Sequence, residues 1–383
     1  MISTVIENGR IFDPSQDKDE IGRICIEGRR IVAYDESRMD EKTEFINAKG
    51  NLILPGLIDF HSHLAFGFGD VGLHADLMAF PNGITSAVDA GSAGSVTFDG
   101  FVRYIIPSNE TTIKAFCHVA PVGVMTDIHG ETNNTDHYDI DLLRNLMDKY
   151  YPDQMIGLKI RLGRLFTPGL GVKPLTEAKK IAEELGCPVC CHLNDSEIDY
   201  KEVLDVLGAG DILCHCYQGR GKTILGEDGK VIDAAWEARK KGVYFDAACG
   251  RINHSLDIIQ EAMREGFLPD LIGTDTIFYS VYQHKLFALP YVMSYMLDAG
   301  MDLKELIRSV TQTPARLMLE EGRRGTLKEG AFADIAVFQL AEHEITYHDQ
   351  IGGEMKGNHL FIPMATWKEG RAVYKRIDFE FWD

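Results

Sequence analysis

The sequence predicts an α/β fold: a (β/α)8 TIM-like barrel joined to a small β-sandwich built from both chain ends. Three observations carry that expectation. The middle of the chain alternates short apolar runs with helix-period segments, and both ends read as strands and turns. Single histidines, a lysine and an aspartate sit where the apolar runs stop. Alternating strands and helices favour a parallel sheet, and polar residues at strand C-termini all the way round favour a barrel over an open doubly wound sheet. No glycine-rich dinucleotide fingerprint follows the first strand of the middle region. The expected division is 1–54 with 320–383 for the sandwich and 55–319 for the barrel.

At the N-terminus, Ser3–Phe12 and Arg23–Tyr34 read as strands, with turn signals at Asn8-Gly9 and Glu27-Gly28. At the far end, Gly325-Thr-Leu-Lys-Glu-Gly-Ala-Phe-Ala-Asp334 reads as a turn leading into a strand, and Met364–Tyr374 as a hairpin. Between them the strand candidates are Leu52–His63, Ser86–Ala90, Ile113–Ala120, Met155–Leu162, Pro188–Leu193, Ile212–Cys216, Val243–Ala247 and Leu271–Asp275. Helical periodicity marks Thr176–Leu185, Tyr200–Leu207, Ala234–Lys241 and Leu256–Glu265.

Bulk properties narrow the class of function. The chain has 383 residues and a formal charge of −19, which argues against a nucleic-acid partner but allows a small anionic substrate. No apolar run reaches membrane-spanning length, and the first ten residues do not read as a signal peptide. The eight cysteines mostly sit inside apolar runs, so a reducing, cytoplasmic setting is expected. The partner expected is a small molecule, with neither nucleic acid nor membrane, and with homo-oligomerisation left open.

The strand ends carry the chemistry. The run Asn51–His63 ends in His61 and His63, two apart and so on one strand face. Strand four carries Lys159, strands five and six end in His192 and His215, and strand eight ends in Asp275. Imidazole is a standard zinc ligand, and an aspartate can ligate or move a proton. A neutral, desolvated lysine amine can add carbon dioxide and become an anionic carbamate, and burial of Lys159 among apolar residues is expected to favour that neutral form. Taken singly, each has a plainer role: a hydrogen-bonded rim histidine, an ion-paired lysine, a helix-capping aspartate. Unrelated roles would not select this set in this strand order. Period two aims Cys214 and Cys216 away from the His215 face, and they are expected to be outward, helix-packed thiols. Cys190 shares the His192 face and Cys191 points outward.

The run Gly56-Leu-Ile-Asp-Phe-His-Ser-His63, the strand-four lysine, the single histidines of strands five and six and the strand-eight aspartate resemble the amidohydrolase superfamily. So do the flanking β segments and the closing Gly325–Asp334. Within it, Gly83–Gly94, Phe98–Phe101, Gly157-Leu-Lys-Ile-Arg161 and His215-Cys-Tyr-Gln-Gly-Arg220 are similar to the amidohydrolase/deacetylase branch, related to dihydroorotases. The resemblance implies a binuclear centre of two divalent ions, zinc first, with manganese or iron as alternatives. His61, His63 and Asp275 would hold one ion and His192 and His215 the other, with N6-carboxylysine at Lys159 between them.

The implied reaction is attack of metal-bound hydroxide on an amide, ester or cyclic amide, deacetylase-like, with Asp275 moving the proton. A dihydroorotase- or hydantoinase-type cyclic amidase and a deaminase are the alternatives, and a non-catalytic barrel scaffold is the rival of another class. Two departures bear on the substrate: Ala65 stands where a dihydroorotase usually has arginine, and Ala247-Ala-Cys-Gly-Arg-Ile-Asn-His254 replaces a histidine set between glycines. Candidate substrate contacts are Arg161, Arg220, Arg251, His254 and His118, with His129 beside them. Arginines at such a rim suit a carboxylate, though each could equally be a rim salt bridge.

Overall fold

The computed structural model describes residues 1–126, 130–131, 133–282 and 288–379. His129 lies outside the described residues. The strands, in chain order, are β1 (Thr4–Asp13), β2 (Lys18–Glu27), β3 (Arg30–Val32), β4 (Glu44–Asn47), β5 (Leu52–Pro55), β6 (Leu57–Ser62), β7 (Ile84–Gly94), β8 (Thr112–His118), β9 (Met155–Leu162), β10 (Val189–Leu193), β11 (Ile212–Cys214), β12 (Tyr244–Asp246), β13 (Ile335–His348), β14 (Glu354–Lys368) and β15 (Arg371–Lys375).

They form two sheets. Strands β6 to β12 make a seven-stranded parallel sheet in sequential order. The other eight make a mixed sheet, β15-β14-β13-β5-β1-β2-β3 with β4 beside β1, so both chain ends do meet in one sheet. Its core is aliphatic: Ile6, Ile24, Ile26, Ile53, Ile335 and Val337 surround Trp367.

Three sequence expectations need correction here. The run Leu52–His63 is two strands, and the break falls at Gly56: β5 pairs with β1 and β13, whereas β6 opens the parallel sheet. Both halves are buried on both faces, so hydrophobicity alone could not divide them. Asn8-Gly9 is a bulge within β1, with Asn8 at φ 57°, and the hairpin turn comes after Asp13. Leu271–Asp275 is not a regular strand; it makes single bridges, Asp246 to Leu271 and Ser62 to Thr276. It still joins the two edges of the parallel sheet. Ala247 and Cys249 donate backbone N–H groups to Leu271 and Gly273, while Asp275 donates to His61 and Thr276 accepts from His63. Asp59 of β6 accepts from the Thr274 N–H at 3.0 Å and its hydroxyl at 2.5 Å, fastening the same seam.

Inside the parallel sheet Ile58, Phe60, Val88, Phe116, Cys190, Ile212 and Cys214 pack together. The opposite faces of the same strands meet the helices: Leu158, Ile160 and Leu162 of β9 join the outer core with Leu175, Ala178 and Ala182 of the helix Lys173–Leu185. Alternation along each strand thus separates a helix-facing side from an interior side. Helices Ile140–Tyr150, Tyr200–Val206, Asp233–Lys241 and Leu256–Arg264 follow β8, β10, β11 and β12. No helix among the described residues is long and apolar enough to cross a membrane.

One buried lysine ties the two sheets. Lys368 of β14 donates to the Thr112 hydroxyl of β8 at 2.7 Å and to Asp334 at 3.2 Å. Burial lowers its pKa to about 8, against the opposing pull of Asp334. A lysine that releases its proton more easily when folded binds fewer protons than the unfolded chain between about pH 8 and its ordinary value, so stability rises with pH through that window. The wild type should therefore gain on Lys368→Met across pH 8 to 10.5, by on the order of 2–3 kcal/mol. Paired urea unfolding of the two proteins measures this; a pH-independent difference would contradict it.

Candidate metal centre

Strand alternation and three special backbone positions bring the predicted ligands together. His61 and His63 leave the end of β6, Lys159 and Arg161 project from the inner face of β9, and His192 ends β10's inner row. His215 follows β11 with φ 59°, Ala248 follows β12 with φ 39°, and Asp275 has φ 48°. These left-handed turns end the two-residue period and swing side chains inward. That corrects one expectation: Cys214 is interior, its sulfur 3.1 Å from that of Cys190. Because the turn at His215 breaks alternation, residues 214 and 215 both face in. Cys216 is outward, in the helix-facing core.

Glycines let the backbone close on the site. At Gly91 (φ 87°) a Cβ would lie 2.6 Å from the Lys159 side chain, and at Gly250 it would collide with Asp275. Neither position could carry a larger residue without moving a functional group.

The cleft is lined by His61, His63, Lys159, His192, Asp275 and Arg251, with Leu165, Phe166, Ile252 and Ile277 among its apolar walls. It spans about 820 Å³ including its open mouth. The Asp275 Oδ1 lies 3.4 Å from His63 Nε2 and 3.8 Å from His61 Nε2. Ligand atoms of these three residues fall within 4.8 Å of one another. The His215 ring centroid is 4.3 Å from that of His192 and 5.0 Å from that of His61.

Whether these residues suit cations depends on which ring nitrogens carry protons. His61 Nδ1 is 3.0 Å from Asp246 Oδ2. His63 Nδ1 is 2.9 Å from the Ser92 hydroxyl, which itself donates to Asp89 at 2.7 Å and so accepts from the ring. His215 Nδ1 donates to the Ala248 carbonyl at 2.8 Å. In all three the Nδ1 proton is taken, which leaves the Nε2 lone pair for a cation. The Nε2 atoms of His192 and His215 are buried with no hydrogen-bond partner among the described residues. A buried polar atom in that condition is costly unless something fills the gap, and a divalent ion does so. The donor set fits.

Electrostatics agree. Burial drives His61, His192 and His215 below the ordinary imidazole value, His215 to about 3, so these rings are neutral and able to ligate. Burial alone would raise Asp275, but hydrogen bonding to His63, with the His215 and His61 rings beside it, outweighs burial and holds it far below the usual carboxylate range. Burial raises Asp246 to about 6.

Lys159 departs from expectation. Burial pulls its pKa down, but the sulfurs of Cys190 and Cys214, 3.5 Å and 3.8 Å from Nζ, together with Asp275 and Asp246, outweigh it and hold the amine above its ordinary value. Apolar surroundings along β9 concealed these sulfur and carboxylate neighbours, which come from other segments.

The substrate candidates divide. Arg161 and Arg251 line the cleft. Arg161, however, is forked by Glu131, at 2.8 Å from Nε and 2.6 Å from a terminal nitrogen. His118 is buried 3.2 Å from the same Glu131. Arg220 sits outside the lining, 3.4 Å from Asp195. His254 is buried too, its Nδ1 bonded to the Gly250 carbonyl at 2.8 Å and its ring stacked on Tyr295. Sequence reasoning missed Asp246, Ser92, Asp89, Glu131 and Asn253, whose amide donates to Asp275. Asp246 had a readable signal, an acid ending an apolar strand; the others carried none.

Imidazoles and carboxylates gathered at the C-terminal ends of parallel strands define the class, a metal-dependent hydrolase. The chain belongs to the Amidohydrolase family, whose sequence profile matches residues 52–373. It is 32% identical over 323 residues to a deacetylase of Agrobacterium fabrum, covering 84% of this chain and 78% of that one. A crystal structure of a dihydroorotase superposes with a TM-score of 0.89 at 27% identity, covering 97% of each chain. One of an adenine deaminase does so with 0.88 at 25%, covering 98% of this chain and 100% of that one. The protein is thus an amidohydrolase, an enzyme acting on carbon–nitrogen bonds other than peptide bonds.

Proposed function

We propose that the enzyme is a binuclear, deacetylase-like hydrolase that cleaves an amide, ester or cyclic amide of a small carboxylate-bearing molecule. The observation that carries this is the tautomer pattern: three imidazoles with Nδ1 engaged and Nε2 released, His61 and His63 lining one cleft with His192, Lys159 and Asp275, and His215 packed against the His61 and His192 rings. His61, His63 and Asp275 would hold one cation, His192 and His215 the other, with carboxylated Lys159 between them. When bound, the cations would lower the pKa of water, polarise the scissile carbonyl and favour the neutral amine of Lys159, and with it the anionic carbamate.

The chain's own groups supply the rest. Asp275 is held ionised, the state that takes a proton from the attacking water and returns it to the departing nitrogen or oxygen. The Asn253 amide fixes its other oxygen. Arg251 is the proposed carboxylate anchor, and the half-buried Ile252 and Ile277 shed water from the reacting end. Ala65 is buried, so no arginine occupies the position a dihydroorotase usually fills; this favours acyl cleavage over ring opening. We propose further that 1–54 and 320–383 form a composite β-sandwich domain around the barrel 55–319.

The test is a screen of zinc- and manganese-loaded protein against N-acyl amino acids, acyl hydroxy acids, hydantoins and dihydroorotate. Turnover of an acyl substrate that requires its carboxylate is expected. Turnover of dihydroorotate alone would replace this reading with the cyclic amidase.

A further inference from the structure

His192 is the exception among the four histidines. No hydrogen bond to either of its ring nitrogens is present among the described residues, and Nε2 is buried. Its ring instead meets Phe166 perpendicularly, with centroids 5.3 Å apart and planes at 89°. Phe166 carries a second load: the Arg161 guanidinium carbon lies 3.7 Å from its ring centroid. That guanidinium is in turn fixed by the two-point fork to Glu131. Glu131 is held on its other side, its side chain 2% exposed and 3.2 Å from His118 Nε2. His118 Nδ1 accepts the Ala120 N–H at 3.0 Å, so its proton sits on Nε2.

We infer that Glu131, Arg161 and Phe166 are positioning residues that set the His192 ring, and that Arg161 is not the substrate's carboxylate anchor. Each contact in the series restrains the next. A bidentate carboxylate locks the plane of the guanidinium. The guanidinium locks the aromatic face beneath it. The aromatic ring limits how His192 can rotate, doing by packing what Asp246, Ser92 and the Ala248 carbonyl do for the other imidazoles by hydrogen bonding. Arg161 is spent in this role. Its charge is matched by Glu131, and a substrate carboxylate would have to displace a buried partner to reach the same fork. Lysine could not replace it, lacking both the planar fork and the stacking face.

The inference rests on His192 being a cation ligand, as proposed above. Orienting partners of a ligating histidine are worth about 10–100-fold in metal affinity. The experiment titrates metal-free, full-length protein with Co2+, following heat and visible absorption. Wild type should take up two equivalents. Phe166→Leu, which keeps apolar bulk but loses the ring, and Arg161→Lys should each bind one equivalent normally and the other about 10–100-fold more weakly, with an altered absorption band. Phe166→Tyr should restore both, and unchanged thermal midpoints show that the variants are folded. Wild type that takes up no metal would overturn the metal-centre reading and this inference with it. Full loading of wild type, with Phe166→Leu and Arg161→Lys loading just as tightly, would overturn the positioning role alone.

Discussion

Replacing Asp275 with asparagine should reduce turnover by about 10²–10⁴-fold, the span of a lost general base, while metal content falls much less. The change is nearly isosteric, with a single oxygen left to face either the His63 and His61 Nε2 atoms, which lie 3.4 Å and 3.8 Å from Oδ1, or Asn253. What it removes is the charge. The amide cannot take a proton from water or hand one to a leaving group. The Asn253 amide also donates to Asp275, so the new side chain must orient its oxygen there or leave two NH2 groups facing each other. A second variant separates the two effects: Asn253→Ala should lower turnover far less than Asp275→Asn. Single-turnover rates with metal content measured on the same samples check both. Near-normal turnover in Asp275→Asn would remove this residue from the proton path.

Replacing Lys159 should have the other large effect, and of a different kind. Lys159 is fully buried, with its amine beside two sulfurs and within the cleft that holds Asp275. If its carbamate bridges two cations, Lys159→Met keeps the stem volume but loses the bridge. Metal content should then drop from two equivalents toward one or none, with turnover falling about 10³-fold or more. Lys159→Ala leaves a cavity in which a short carboxylic acid could stand in for the carbamate. Propionate should therefore restore part of the metal binding and activity to Lys159→Ala and none to Lys159→Met, where the cavity is filled. A Lys159→Met protein with full metal content and normal rate would refute the bridge.

Much of the architecture was legible because buried parallel strands advertise themselves as short apolar runs. Met155–Leu162 was readable to the residue, and β8, β10, β11 and β12 to within two at either end. The candidate ligands could be singled out for a related reason: a histidine, lysine or aspartate at the end of such a run has few apolar explanations. Legibility failed where geometry departs from the regular period. The left-handed turn at His215 brought that ring to the inner face Ile212 and Cys214 already occupy, which a strict two-residue alternation forbids. The segment Leu271–Thr276 joins the sheet edges through bridges and a buried Asp59–Thr274 contact, without a strand's repeating ladder. Supporting groups were harder still. Ser92, itself held by Asp89, orients His63 from 29 residues away, and Glu131 reaches Arg161 across 30. Nothing local distinguishes such residues from surface polar ones, because their meaning exists only in the folded arrangement.

The same reasoning explains the fate of the five substrate candidates. A strand's inner face correctly sent Arg161 into the cleft, but an arginine in an acidic chain finds a carboxylate, and Glu131 was there first. His118 and His254 turned out to be buried side chains with protein partners of their own. Arg220 turned outward to Asp195. Arg251 lines the cleft beside Arg161 and is the arginine the proposed chemistry calls on.

The central claim is that residues far apart in the chain converge on a shared pair of cations. A crystal of metal-loaded protein, with anomalous diffraction recorded on either side of the zinc absorption edge, tests it most directly. The account predicts two peaks, one in contact with His61, His63 and Asp275, the other with His192 and His215, and continuous density joining the Lys159 amine to a carboxylate between them. A single peak away from these side chains, or none in protein loaded with excess zinc, would contradict it.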